Sequence, residues 1–261
     1  RALGRARSAA RVAAQAAFAV TQTSPNAARK RFISSAVPIV TRRWFGRDTK
    51  RAAAARMVAF APLREDAGMR VVECVPNISE GRRPEVYNAI AEAAARVPGV
   101  TLLDVDPGVE TNRTVITFVG EPEAVLEGAF HLMVAALERI DMSAHQGAHS
   151  RIGAVDVVPF VPVSGVTMAE CVELARRLGE RVGRELGIPV YLYEQAATSP
   201  ERRNLADIRA GEYEGLAGKL ADPAWLPDFG PATFVPRAGA SVIGARSFLV
   251  AYHVNLNPVA T

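Results

Sequence analysis

The chain predicts an α+β fold, a sandwich whose elements run β-α-β-β-α-β, and three observations predict it. Between residues 71 and 163, short apolar and β-branched runs alternate with two segments whose apolar residues recur at helical spacing. Pairs such as Pro76-Asn77, Pro98-Gly99 and Pro107-Gly108 mark the joins between them. Residues 1–68, by contrast, are Arg/Ala-rich, poor in acids and without a sustained period, so the patterned part begins after them. The order of elements is that of a ferredoxin-like sandwich, here with an additional helix and C-terminal strands.

The elements follow in order. Val71 to Val75 is a short apolar run closed by Pro76-Asn77, a strand ending in a turn. Pro84 to Val97 places Val86, Ile90, Ala94 and Val97 on one helical face, and Pro98-Gly99 stops it. Val100 to Val105 is the second strand, and Thr114 to Val119, rich in β-branched residues, is the third. Glu121-Pro122 opens a second helix that runs to about Ile140 through Val125, Ala129, Met133 and Leu137. Ala154 to Val163 is a strand interrupted by Pro159 and Pro162, which predicts an edge position. Met168 to Leu186 is a further amphipathic helix and Pro189 to Tyr193 another strand. Residues 194–239 read as loop-rich, with turns at Ile208–Tyr213 and Pro227–Pro231, and Phe248 to Leu256 reads as a closing strand.

Composition bounds the function. A length of 261 residues suffices for one or two domains with a packed core. No window approaches about 18 uninterrupted apolar residues, so no transmembrane helix and no membrane partner are expected. Cys74 and Cys171 fall in a strand pattern and a helix pattern, which fits buried free thiols in a reducing, cytoplasmic compartment rather than a disulfide framework. The net charge of +4 is divided unevenly: residues 1–60 hold 13 of the 31 Lys and Arg beside one acid, Asp48. The other 201 residues carry 18 basic and 26 acidic side chains, so the basic balance belongs to the tail and does not make the folded part a nucleic-acid binder. Three readings of the tail stand side by side: an organellar transit peptide, a basic arm for an anionic surface, and a segment outside the native protein. The last is preferred, with translation starting at Met69 or Met57.

The chemistry concentrates in Ile140-Asp-Met-Ser-Ala-His-Gln-Gly-Ala-His-Ser-Arg-Ile-Gly-Ala154, which carries two of the four histidines, His145 and His149. Histidine titrates near neutrality and is the default proton carrier at cellular pH. A metal site would need a third protein ligand, and Gln146, Gly147 and Ala148 supply none, so metal is the weaker reading. Two solvated loop histidines remain the plain alternative. Polar clusters also close the strands: Pro76 to Gly81, Asp104 to Gly108, and Thr111 to Arg113. Taken singly, Asn77, Asp104 and Asp106 read as turn and cap residues.

Taken together, Val72-Glu-Cys-Val-Pro-Asn-Ile-Ser-Glu-Gly81, Leu103-Asp-Val-Asp106, Thr111-Asn-Arg-Thr114, Ile140-Asp-Met-Ser143 with His149, Val190-Tyr-Leu-Tyr193, Ile208-Arg-Ala-Gly-Glu-Tyr213 and Pro227-Asp-Phe-Gly-Pro231 resemble the glutamate formimidoyltransferase family over about residues 70–257. The resemblance implies transfer of a formimino group from N-formimino-L-glutamate to N5 of tetrahydrofolate, in histidine degradation and one-carbon metabolism. It implies tetrahydrofolate as co-substrate without a metal, and a homo-oligomer acting on small molecules with no nucleic acid. It matches His149 to the catalytic acid/base, with Ala148 and Ser150 where the family pattern has Glu and Pro. It likens Gly230, Pro231, Ala232, Thr233, Phe234, Val235, Pro236, Arg237, Ala238 and Gly239 to the folate-contacting stretch, with Arg237-Ala238 in place of a Ser-Trp pair of animal members. Asn77 joins the binding residues, Asp106 is a candidate for orienting the ring or attracting the cationic formimino group, and Arg113 and Arg151 are candidates for the substrate carboxylates. Residues 69–246 then form the N-terminal subdomain and residues 247–261 the start of a second. A non-catalytic folate-binding or assembly module is the alternative, because in the family the folate lies between two subdomains.

Overall fold

The computed structural model describes residues 68–249. The first strand pattern forms as two short strands, β1 (Val71–Cys74) and β2 (Asn77–Ile78), separated by Val75-Pro76. Pro76 has no amide to give, but its carbonyl accepts from the Ile116 amide at 2.9 Å, so pairing carries across the break. Helix α1 (Pro84–Ala95) and helix α2 (Pro122–Arg139) both begin on a proline, whose fixed φ suits a first turn. Between them β3 (Val100–Gly108) and β4 (Arg113–Gly120) form an antiparallel hairpin. There follow β5 (Val155–Ser164), α3 (Met168–Glu185), β6 (Val190–Glu194), α4 (Leu205–Arg209), α5 (Glu212–Ala221) and β7 (Ser241–Ala245). Helix α3 starts on a capping box: Thr167 Oγ1 accepts from the Glu170 amide while the Glu170 carboxylate accepts from the Thr167 amide.

The seven strands make one sheet in the order β3-β4-(β1,β2)-β5-β7-β6. It is antiparallel from β3 to β5, while β7 runs parallel to both β5 and β6. Helices α1, α2 and α3 share a core with one face of the sheet, through Ile90, Phe118, Met133, Phe160, Leu178 and Ile243. Short helices α4 and α5 cover the β5-β7-β6 end of the other face, where Ile208, Leu216 and Leu220 meet Val157, Tyr191, Tyr193 and Val242. The period of two is visible in the division: Val157, Tyr191 and Val242 go to the second cluster, their neighbours Val158, Leu192 and Ile243 to the first. Among the described residues no helix covers that second face over β1 to β4, and Asn77, Asp106 and Arg113 lie on it.

The α+β class therefore holds, with three differences in detail. Strand β5 is interior, hydrogen-bonded to β1 and β2 on one side and to β7 on the other, not at an edge. Its prolines fall at irregularities of the pairing: Pro159 accepts from Val75 where β1 gives way to β2, and Pro162 lies at a bulge of β5 itself, where Pro162 and Ser164 face the consecutive Val72 and Val71. The span 194–239 contains α4 and α5 rather than turns alone. The closing strand is Ser241–Ala245; Phe248 and Leu249 are exposed and irregular, and residues 250–256 lie outside the described part, as does the basic tail up to residue 67. Among the described residues no helix is long and apolar enough to cross a membrane.

Candidate active site

Three polar segments converge where the uncovered sheet face meets α4 and α5: the loop after β2, the turn joining β3 to β4, and the histidine segment 140–154. Ser79 fastens the first to the third, its hydroxyl donating to the Gly153 carbonyl at 2.7 Å and its amide to Ala154 at 2.9 Å. The Glu80 side chain is buried beside them and accepts from the Arg82 and Arg83 amides and from Arg83 Nε at 2.8, 3.0 and 2.6 Å. Burial works to raise its pKa, but these donors outweigh burial and hold the carboxyl below its ordinary value.

Asn112 joins all three segments. It sits at φ 48°, a left-handed conformation that asparagine tolerates better than most side chains. Its Oδ1 accepts from the Gly81 amide at 3.0 Å and its Nδ2 donates to the Gln146 carbonyl at 2.9 Å. Gly147 passes so close to this turn that a Cβ there would stand 2.2 Å from the Thr111 carbonyl oxygen.

The two histidines have different surroundings. His145 Nε2 lies 2.9 Å from the Asn112 carbonyl, and His145 Nδ1 accepts from Arg151 Nε at 3.2 Å. A guanidinium can only donate, so Nδ1 is unprotonated and Nε2 carries the hydrogen. Burial first, then the Arg151 charge, hold its pKa below the usual imidazole value against the contact with Asn112. His149 is half-buried, and its Nδ1 is buried without a hydrogen-bond partner among the described residues. Its pKa is also lowered, by burial and then by the cations of Arg113 and Arg209, against the Ser150 backbone and the Asp156 carboxylate. A neutral imidazole with an uncommitted nitrogen can take up a proton.

The other residues singled out in the sequence divide between this cluster and its surroundings. Asn77 and Arg113 meet: Arg113 Nε donates to Asn77 Oδ1 at 2.8 Å, and Asn77 Nδ2 donates to the Val75 carbonyl at 3.0 Å. This leaves the terminal nitrogens of Arg113 without a hydrogen bond among the described residues. Asp106 shares the face, since Asp106 pairs with Val115 and Val115 with Asn77 across the strands, and its charge acts on Arg113. Arg151, in contrast, is only 7% exposed and fully engaged. It binds Glu212 at 2.9 Å and Glu214 at 2.7 and 2.9 Å from α5, besides His145. Any substrate carboxylate would have to displace those partners.

The stretch 230–239 spans two places. Its end runs beside the histidine segment: Met142 donates to the Arg237 carbonyl at 3.0 Å, Ala154 to Ala238 at 2.8 Å, and Gly239 bridges to Gly153. Phe234 packs against Tyr213 with the rings tilted at 51°, the Tyr213 hydroxyl donates to the Pro236 carbonyl at 2.6 Å, and Val235 packs at the margin of the main core. Gly230 instead sits behind α3, where a Cβ would meet the Ile188 carbonyl at 2.1 Å; Pro231, Ala232 and Thr233 lead away from it along the surface. Sequence reasoning did not single out Glu80, Asn112, Asp156, Arg209, Glu212 or Glu214 as site residues. An acid inside an apolar strand, as in Val155-Asp-Val157, is itself a signal of a buried pair, and Arg209 ion-pairs with Asp156 there. Arg209 and Glu212 lie in the Ile208–Tyr213 motif, quoted above only for its resemblance.

The family described as formiminotransferase domain, N-terminal subdomain, matches residues 71–246, two thirds of the sequence and all of the elements described above. The chain belongs to this family. It is 57% identical over 187 residues to a formimidoyltransferase-cyclodeaminase of Mus musculus, an overlap of 72% of this chain and 35% of the relative. It is 48% identical over 188 residues to a glutamate formimidoyltransferase of Streptococcus pyogenes serotype M1, and 53% over 191 residues to one of Thermoplasma acidophilum, each covering 72% of this chain and 63% of the relative. The chain thus spans about a third of the two-activity relatives and less than two thirds of the single-activity ones. The resemblance read from its motifs is shown by this family match, and the convergent loops lie within the matched span.

Proposed function

We propose that this formiminotransferase N-terminal subdomain works in glutamate formimidoyl transfer, moving a formimino group from N-formimino-L-glutamate to N5 of tetrahydrofolate. The observation that carries the proposal is the half-buried His149, whose Nδ1 has no hydrogen-bond partner among the described residues and whose pKa is lowered by burial and by the cations of Arg113 and Arg209. In the reaction the N5 lone pair of the folate attacks the formimino carbon, and a tetrahedral intermediate forms. His149 takes the proton from N5 and returns one to the nitrogen of glutamate, the C–N bond to that nitrogen breaks, and 5-formiminotetrahydrofolate and glutamate leave. Arg113, oriented by Asn77, offers its terminal nitrogens to a substrate carboxylate, and Asp106 faces the cationic formimino group. The end of the 230–239 stretch beside the histidine segment is the part of it best placed to line a folate.

The same reading takes residues 69–246 as a ferredoxin-like unit, supported by the β3-β4-(β1,β2)-β5 strand order and the two helices that connect those strands. Tetrahydrofolate is a co-substrate, no resident metal is needed, and further copies of the chain are the expected partners. The free, buried Cys74 and Cys171 suit a reducing cytoplasm. An assay with formiminoglutamate and tetrahydrofolate on the chain and on His149→Ala tests the proposal. Turnover that falls at least about a hundredfold in the variant, the lower part of the range for losing an acid/base group, supports it. No turnover in the parent, with tetrahydrofolate still bound, would replace it by a folate-binding module.

A further inference from the structure

The histidine that the transfer chemistry does not use is the better connected of the two. His145 receives Arg151 Nε on one ring nitrogen and gives its hydrogen to the Asn112 carbonyl on the other. Arg151 continues to Glu212 and Glu214 at the start of α5, while Asn112 continues to Gly81 and Gln146. The single ring therefore stands in a chain of hydrogen bonds that crosses from the β3–β4 turn, through the segment bearing His149, to a helix on the far side.

We propose that His145 and Arg151 are positioning residues that hold the His149 segment in place, and that they do so only while His145 is neutral. This places Arg151 in the scaffold instead of on the substrate, and it rests on the reading of His149 as the proton carrier. The chemistry of the ring enforces the condition. Protonated at Nδ1, His145 has no lone pair for Arg151 Nε and faces a second cation at hydrogen-bond distance. The groups around it divide in sign: Arg151 from its own segment and Arg82 from the loop after β2 oppose the charge, and Glu80 from that loop and Glu214 from α5 favour it. Burial adds to the first pair and keeps the ring neutral at cellular pH. Acidification then breaks the link at its centre. Arg151 stays on α5 and the ring keeps Asn112, but the contact that joins the two ends of the segment is lost, and the stretch between them, which carries His149, loosens locally.

The test follows the amides of residues 141–154 by hydrogen exchange in the full chain, expressed as protection relative to intrinsic rates, between pH 7.5 and 5, while nitrogen NMR reads the tautomer of His145. The expected tautomer at pH 7.5 is the one with hydrogen on Nε2, and protection of the segment falls as His145 takes up its proton. His145→Ala lowers protection at pH 7.5 by roughly tenfold to a hundredfold, the factor for losing a hydrogen bond to a charged group, and the gap to the parent closes as the parent's own His145 takes up its proton. His145→Gln, whose amide can accept from Arg151 and donate to Asn112 but does not titrate, restores protection and removes its pH dependence. A ring with hydrogen on Nδ1 at pH 7.5 would overturn the proposal. So would protection unchanged in His145→Ala, or a glutamine variant no better than alanine. PH dependence that persists in His145→Gln would assign it to His149 and overturn the switch. These readouts need no turnover, so an absence of formimino transfer would refute the proposed activity alone.

Discussion

Asp156 stands where the histidine segment enters the sheet, and removing its charge tests how that entry is held. Its side chain is 2% exposed and that of Arg209, its partner from α4, 14%. The other carboxylate oxygen accepts from the Ile152 amide at 3.0 Å, three residues after His149. Asp156→Asn keeps an acceptor for Ile152 but leaves the Arg209 cation in a site that excludes most water. Breaking a buried pair from one side costs about 3–5 kcal/mol, and the residual exposure of Arg209 puts this variant near the lower end, about 3 kcal/mol. Arg209→Gln leaves the more deeply buried carboxylate instead and is expected near the upper end, about 4–5 kcal/mol. The double variant Asp156→Asn/Arg209→Gln carries two neutral amides able to hydrogen-bond each other and is expected within about 2 kcal/mol of the parent. Urea unfolding of all four chains, followed by far-UV circular dichroism, closes the double-mutant cycle. Single variants that each lose less than about 1 kcal/mol, or a double variant as unstable as the two losses added, would refute the view that this pair is buried and coupled.

Three further outcomes follow from the same geometry. Gly147→Ala sets a methyl group against the Thr111 carbonyl and must lift the histidine segment from the turn, so it is expected to lose about 1–3 kcal/mol and to lower turnover more than Gly218→Ala, whose Cβ meets nothing within 4 Å; equal effects in a side-by-side assay would contradict this. Thr167→Ala removes the side-chain half of the α3 capping box and is expected to cost about 0.5–2 kcal/mol by urea midpoint, with formimino transfer at saturating substrate unchanged. Stability is expected to fall on mild acidification: His145 and His149 both titrate lower in the fold than their ordinary 6.5, so the unfolded chain takes up protons first as pH drops below that value. The stabilisation is fully present above pH 6.5 and lost on approach to the folded values, whereas Glu73, raised by burial, acts in the opposite sense nearer its own ordinary 4.5. Urea midpoints at pH 7.5 and 5.5 read the slope, and a midpoint that rises on acidification would contradict it.

What was legible in the sequence depended on how far apart the cooperating residues lie. Helix α2 was readable because its proline start and its apolar stripe through Val125, Ala129 and Met133 are contained in one stretch. Strand β5 was readable as a strand but not as an interior one, because the rule that sends proline to an edge considers a single strand. Here Pro159 faces the break between β1 and β2, some 80 residues earlier, and Pro162 sits at a bulge of β5 that only the pairing with β1 reveals. Strand β7 escaped notice because it is five residues long and contains Gly244, where a Cβ would stand 2.4 Å from the Tyr193 ring. Helices α4 and α5 were hidden in the same way, each short and anchored by one or two apolar residues.

The site obeys the same division. His149 was separable from His145 by resemblance, since both occupy a similar local pattern and nothing within four residues distinguishes them. What does distinguish them is long-range: His145 is fastened through Asn112, 33 residues away, and through an arginine that binds carboxylates 61 and 63 residues away. Arg113 and Arg151 are likewise the same residue type in comparable loops. Yet one is steered by Asn77 with its terminal nitrogens uncommitted among the described residues, and the other has its donors taken by two glutamates and a histidine. A guanidinium in the second state already has the bidentate partner that a substrate carboxylate would supply, so exchanging one for the other gains little. We therefore propose Arg113, not Arg151, for the substrate carboxylate. Arg113→Lys, which keeps the charge but loses the fork and the Asn77 contact, is expected to raise KM for formiminoglutamate more than Glu214→Gln does. An Arg113→Lys enzyme with unchanged KM would return the assignment to Arg151.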